Sequence, residues 1–216
     1  MTTLTLWGRL TSCNVQKAVW LLEELALPYE RIDAGGDFGG LDDAAYLAMN
    51  PNGKVPTLKD GELVVWDSEA ILRYLAARYG APQFWSGDPA ERAAVDQWMA
   101  WTATALYRDW IDLFWRLVRT PPQRRDADLI EGLRRRTAER FAFLDGQLAS
   151  RPYLAGDVFS LADIAAGMTL YRWYEMPIER PALPHLAAWY ARLRDRPAYR
   201  TAVCVPFDDL VGKLTF

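Results

Sequence analysis

Leu4-Thr5-Leu6-Trp7-Gly8-Arg9-Leu10-Thr11-Ser12-Cys13-Asn14-Val15-Gln16-Lys17 is the stretch from which the rest of the chain can be read. Leu4 and Leu6 alternate with Thr3, Thr5 and Trp7, the period of two that marks a strand, and the alternation stops at Gly8. From Val15 the apolar positions 15, 18, 19, 22 and 25 recur at helical spacing, until Pro28 closes the helix. Hydroxyls and a thiol, on Thr11, Ser12 and Cys13, therefore crowd a turn between the end of a strand and the start of a helix. A helix start leaves backbone N–H groups unpaired and carries partial positive charge. Such a place suits an anion, and a thiolate is a good candidate. Farther along, Lys54-Val55-Pro56 and Asp67-Ser68 supply groups with which a small peptide could dock beside that turn.

Working outward, residues 29–33 read as a second short strand, and a weak helix lies near 42–48. Between them Gly35-Gly36-Asp37-Phe38-Gly39-Gly40 lacks the Gly-Lys-Ser/Thr ending of a phosphate loop and reads as a mobile rim. Val55–Lys59 and Glu62–Trp66 flank Asp60-Gly61, which predicts a tight antiparallel hairpin. Asp67 or Ser68 then caps a helix over 68–79 that ends at Gly80. This order implies a four-stranded mixed sheet with helices on it, the first two strands parallel through a crossover and the last two a hairpin.

Residues 81–88 read as a linker, and beyond Pro89 every strong signal is helical. One helix covers 90–118 and is broken by Thr120-Pro121-Pro122. A second runs over 124–149 with Leu129, Leu133, Phe141, Leu144 and Leu148 on one face. Ser160-Leu161-Ala162-Asp163 opens a third through a capping box, a structural role. Leu183-Pro184 opens a fourth, which Pro197 stops. The expectation is an α/β domain over 1–80, a linker over 81–88 and an all-helical domain over 89–216.

Composition narrows the functions. The chain has 216 residues, 51% of them hydrophobic and 25% charged, as in soluble globular proteins. A formal charge of −3 gives no reason to expect nucleic acid as a partner. Neither a signal peptide nor a membrane-length apolar run is present, so the expected location is the cytoplasm, away from membranes. Cys13 and Cys204 are too few for a disulfide framework and fit a reducing compartment. His185 is the only histidine, which argues against a His-based metal site or a Ser-His-Asp triad, and no metal is expected.

Four local patterns, in their order and spacing, resemble the glutathione transferase family over essentially the whole chain. Thr11-Ser12-Cys13-Asn14 resembles the active-site turn of the serine and cysteine classes, and Ser12-Cys13 is similar to the Ser-Ser-Cys run of the zeta class. Asn50-Pro51-Asn52-Gly53-Lys54-Val55-Pro56 resembles the family's Asn-Pro-x-Gly-x-Val-Pro segment. Asp67-Ser68 stands where the family has its acidic-Ser pair, and Phe159–Ala165 resembles its capping-box signature. The chain departs from the alpha, mu and pi classes in having Trp7 where they have an early catalytic Tyr.

The resemblance implies a thioredoxin-like N-terminal domain, an all-α C-terminal domain, a homodimer, and glutathione as co-substrate. It places the γ-glutamyl end on Asp67 and Ser68, the cysteinyl backbone on Val55 before a cis Pro56, and the glycyl carboxylate near Lys54. Ser12 would stabilise the thiolate, with Thr11 beside it and Asn14 orienting it or donating a second bond. A free thiol titrates near ~8.5, and lowering that by two units takes about 2.7 kcal/mol, which one charge-assisted hydrogen bond and a helix start can supply. Cys13 could instead form a mixed disulfide with glutathione, giving a thiol-disulfide reductase.

Ordinary structure accounts for several of these residues as well. Thr11 or Ser12 serves as an N-cap in many proteins, Pro56 fits the start of an edge strand, and Lys54 fits a solvated lysine. Asp67-Ser68 reads equally as a capping pair with Glu62 and Glu69 as surface acids. In helix 90–118 the aromatic residues exceed what one buried face holds. Trp101, Tyr107 and Trp110, with Trp7, are the candidates for an electrophile pocket, against an aromatic core stripe. The reading is a detoxifying transferase acting on hydrophobic or halogenated small-molecule electrophiles. The alternatives are disulfide reduction through Cys13 and a noncatalytic binding module.

Overall fold

In the computed structural model, which describes residues 4–214, four strands form one mixed sheet in the order β2-β1-β3-β4. β1 (Leu4–Trp7) runs parallel to β2 (Tyr29–Ile32) and antiparallel to β3 (Thr57–Asp60), which pairs antiparallel with β4 (Leu63–Trp66). Thr3, part of the expected alternation, lies outside the described residues. α1 (Cys13–Glu24) is the crossover between β1 and β2, and α2 (Ala44–Met49) and α3 (Ser68–Tyr79) complete this part. Leu4, Leu6 and Leu58 from the sheet, Val15, Ala18, Val19 and Leu22 from α1, and Ile71, Leu72 and Leu75 from α3 make its core. The alternation of β1 and the helical spacing of α1 thus bury the residues they pointed to, except Leu25, which caps the end of α1 and is half-buried.

Gly8 is required where β1 ends. Its φ is 147°, and a Cβ there would lie 2.3 Å from a methyl of Val15, so a larger residue would push α1 off the sheet. The hairpin turns one residue later than Asp60-Gly61. Asp60 pairs with Leu63, which leaves Gly61-Glu62 as the loop, with Gly61 at φ 58° in its first position. Asp60 stays in the ladder while its carboxylate accepts from the Tyr74 hydroxyl at 2.6 Å and from that of Tyr79. β3 also begins after Pro56, not at Val55. The glycine-rich segment contains a 3₁₀ turn over Gly36–Phe38, closed by a bond from Gly35 N–H to Gly39 C=O at 2.8 Å.

By packing, the described chain divides into one unit of residues 4–85 with 198–205 and another of 86–197 with 206–214. Pro197, expected only to stop a helix, also opens α10 (Pro197–Ala202), numbered after the helices of the second unit. Residues 198–205, read from the sequence as part of the helical domain, belong with the sheet. Tyr199 is fully buried and meets the Trp20 ring edge-on at 4.7 Å.

The second unit is helical. α4 (Pro89–Trp101) and α5 (Tyr107–Phe114) follow one another through a π-helical segment, Thr102–Leu106, and a second, Trp115–Arg119, ends the run. These wider turns re-phase the apolar stripe, so Met99, Leu106, Trp110, Phe114 and Val118 are all buried. α6 (Ala127–Leu148) starts after its Asp126 cap, whose carboxylate accepts from Leu129 N–H at 3.0 Å. Leu133, Phe141, Leu144 and Leu148 are buried as expected, but Leu129, in the first turn, is 39% exposed, and Thr137 takes a place on the buried face.

α7 (Leu161–Gly167), α8 (Leu170–Glu175) and α9 (Pro184–Arg194) complete this unit. At the start of α7 the buried Asp163 accepts from Ser160 N–H at 2.9 Å, the Ser160 hydroxyl at 3.2 Å, Leu154 N–H at 3.0 Å and Trp189 Nε1 at 3.1 Å. Among the described residues, no helix is long and apolar enough to cross a membrane.

Candidate active site

The turn after β1 is tied to the end of β2 by a backbone bond from Gly8 N–H to Ile32 C=O at 2.8 Å, and to the segment after it by one from Arg9 N–H to Ala34 C=O at 3.1 Å. Ser12 N–H closes it onto Arg9 C=O at 3.0 Å, and the Gln16 amide pins Leu10 C=O at 3.1 Å. Ser12 is the N-cap of α1 by backbone geometry, with φ −84° and ψ 118°, yet its hydroxyl makes no capping bond to the helix. Ser12, Thr11 and Asn14 are half-buried, whereas Cys13, at the first helical position, is only 6% exposed.

A cleft of about 250 Å³ opens beside that helix start, lined by Asn14, Asn50, Asn52, Lys54, Val55, Pro56, Trp66, Asp67 and Ser68. Six of these are residues singled out from the sequence, drawn from three separate segments. Thr11, Ser12 and Cys13 adjoin the cleft through Asn14 without lining it. The Val55–Pro56 bond is cis. Lys54 is held by its main chain, whose carbonyl accepts from the Tyr46 hydroxyl at 2.6 Å and from Asn50 Nδ2 at 2.8 Å. Both partners also reach Thr57 Oγ1, at 2.9 and 3.0 Å, so one buried polar knot shapes the loop before β3. Burial raises the pKa of the Tyr46 hydroxyl, keeping it a hydrogen-bond donor.

Asp67 has φ 74°, a conformation that costs a non-glycine residue about 1–3 kcal/mol and gathers at functional sites. Its Oδ1 accepts from Glu69 N–H at 2.9 Å and Ala70 N–H at 3.2 Å, capping α3. The Ser68 hydroxyl is buried, 3.4 Å from Asn14 Oδ1 and 3.4 Å from Lys17 Nζ. Lys17 in turn donates to Glu69 Oε1 at 2.7 Å. Glu69 is therefore not the surface acid the sequence suggested: its side chain is 13% exposed and paired with a lysine 4% exposed.

Lys17, Glu69, Tyr46 and Asn50 are the residues that site reasoning passed over. Lys17 could have been found one helical turn beyond Cys13, and Tyr46 one turn before Asn50, since residues four apart share a helix face. Trp7, half-buried, sits in β1 opposite Ile32 and Thr57.

In the second unit, half-buried Trp101 packs against Trp98 at 5.8 Å and Phe143 at 5.1 Å. Half-buried Tyr107 lies 5.8 Å from Trp110. Trp110 itself is fully buried and stacks on Phe114 at 6.2 Å, so it is a core residue and not a pocket wall.

Residues 2–77 match the model of the glutathione S-transferase N-terminal domain, and residues 110–197 that of its C-terminal domain. The chain is 44% identical over 205 residues to glutathione S-transferase GstB of Escherichia coli, covering 94% of this chain and 99% of that one. It is 32% identical over 192 residues to the E. coli disulfide-bond oxidoreductase YfcG, covering 86% of this chain and 87% of that one. A theta-class glutathione S-transferase from Xanthomonas axonopodis pv. citri, solved with glutathione bound, superposes with a TM-score of 0.91 at 52% identity. That match covers 95% of this chain and 99% of the other. With both domain models matched in order and a cleft built from the three segments its motifs occupy, this chain belongs to the glutathione S-transferase family.

Proposed function

We propose that the protein binds glutathione in the cleft of its first unit and transfers the thiolate to a hydrophobic or halogenated small-molecule electrophile. One observation carries the reading: the first turns of α1 and α3 meet in a single cleft, with Ser68 Oγ 3.4 Å from Asn14 Oδ1. The γ-glutamyl carboxylate takes the Ser68 hydroxyl and the start of α3, with Asp67 facing the ammonium. Val55 offers its backbone to the cysteinyl residue in the manner of an added strand, and Lys54 answers the glycyl carboxylate. The sulfur then lies at the start of α1. The Ser12 hydroxyl, unspent on capping, donates to the thiolate, and Asn14 orients or adds to that bond. For the electrophile, Trp7 is the candidate in the first unit, and Trp101 and Tyr107 are the candidates in the second. The working form is a cytoplasmic homodimer with a detoxifying role, and no metal takes part.

A second reading, reduction of glutathione mixed disulfides through Cys13, is favoured by that residue's place at the first position of α1, next to Ser12 and one residue from the cleft-lining Asn14. Its 6% exposure weighs against attack by its sulfur. Purified protein assayed with glutathione against alkyl and aryl halides, and separately against a mixed disulfide, tests the two. Conjugation that survives Cys13→Ser supports the transferase; disulfide reduction alone, abolished by Cys13→Ser, replaces it.

A further inference from the structure

Lys17 and Glu69 form a buried ion pair between α1 and α3, and the cleft lining includes neither. Buried pairs of this kind are weak sources of stability, because desolvation offsets the attraction. This one is also incompletely satisfied: Glu69 Oε2 is buried with no hydrogen-bond partner among the described residues. Its position relative to Ser68 gives it another use.

An ammonium group can only donate. Ser68 Oγ, 3.4 Å from Lys17 Nζ, is therefore the acceptor in that contact, and its own hydrogen must point elsewhere, toward Asn14 Oδ1 at 3.4 Å. Asn14 and Ser68 both line the cleft. We propose that Lys17, held by Glu69, is a positioning residue: it keeps the Ser68 hydroxyl a donor, to Asn14 Oδ1 in this structure and to a carboxylate when one occupies the cleft, and so selects a ligand with a carboxylate at that end. The inference rests on the glutathione reading and deepens it. Without the lysine the hydroxyl is free to accept as well as donate, and the positive charge behind it is gone. Glu69 sets where the ammonium sits, since its 2.7 Å bond is shorter than the 3.4 Å contact from Lys17 to Ser68.

The test compares glutathione with γ-aminobutyryl-cysteinylglycine, which lacks only the α-carboxylate, by calorimetric binding to wild type, Lys17→Met and Lys17→Arg. Wild type is expected to prefer glutathione by at least about tenfold, the worth of one hydrogen bond to a charged group. Lys17→Met should remove most of that preference by weakening glutathione, while its affinity for the decarboxylated peptide moves less than about twofold. Lys17→Arg should restore part of the preference, and kcat at saturating glutathione should change little in either variant. Equal weakening of both peptides in Lys17→Met would mean a purely structural lysine and overturn the proposal, as would an unchanged preference. If Lys17→Met fails to fold, Glu69→Gln, which loosens the lysine but keeps the volume, must show the same loss of preference, or the proposal fails. Wild type that binds neither peptide removes the glutathione reading itself, a different outcome from either.

Discussion

The Ser68 hydroxyl lies 3.4 Å from Asn14 Oδ1, so a contact between residues far apart in sequence joins the first turns of α1 and α3 inside one cleft. If this end of the cleft takes the γ-glutamyl group, Ser68→Ala removes one hydrogen bond to a carboxylate. Glutathione KM should then rise by about tenfold or more, with kcat at saturation changed much less. Steady-state kinetics with glutathione as the varied substrate make the check, and a fall in kcat at unchanged KM would place Ser68 at the chemistry instead.

Ser12 is expected to show the opposite split. Its hydroxyl makes no capping bond, so Ser12→Ala should leave α1 intact and glutathione affinity nearly unchanged. Conjugation should fall on the order of 10²-fold through loss of thiolate stabilisation. Spectrophotometric titration of the bound thiol checks the cause: its pKa should rise in the variant. Unchanged turnover would move the role to Asn14, Cys13 or the backbone.

Trp110 is fully buried against Phe114, so its removal acts on stability and not on acceptor choice. Trp110→Ala should cost about 3–5 kcal/mol, measured by denaturant unfolding. Tyr107→Ala, at a half-buried neighbour, should cost less, and the ranking of electrophiles by kcat/KM is the place to look for its effect.

Burial pushes the Asp163 carboxyl up to about 6 from its usual 3.8, against the four hydrogen bonds that hold it down. A carboxyl raised in the folded state binds its proton more tightly there than in the unfolded chain. Its contribution to stability is full below about pH 4 and declines as pH rises through about 6. Relative to Asp163→Asn, the wild type should therefore lose Tm between those two values, which paired thermal melts across the range can show. A difference that is flat, or that grows with pH, would contradict the assignment.

The first unit was largely legible because its signals are local. The alternation of β1, the spacing of α1 and the Asp67 cap each need only a few neighbouring residues. The hairpin missed by one residue because Gly61 can occupy either loop position, and the Asp60 contacts to Tyr74 and Tyr79 that fix it come from another element. Lys17 and Glu69 stayed hidden for the same reason: each is an ordinary charge on its own helix, and only packing makes them a pair. Trp101, Tyr107 and Trp110 could not be sorted from the sequence, because the π-helical segment Thr102–Leu106 between Trp101 and Tyr107 shifts the phase that a constant helical period assumes. Pro197 read as a stop, since nothing local says that Tyr199 will seat against Trp20.

Isothermal titration of the folded protein with glutathione bears most directly on the central claim, that the cleft beside the start of α1 receives this tripeptide. Saturable one-to-one binding that weakens in Ser68→Ala and survives in Ser12→Ala is the predicted result. Absence of binding by correctly folded protein, or binding untouched by Ser68→Ala, would contradict it.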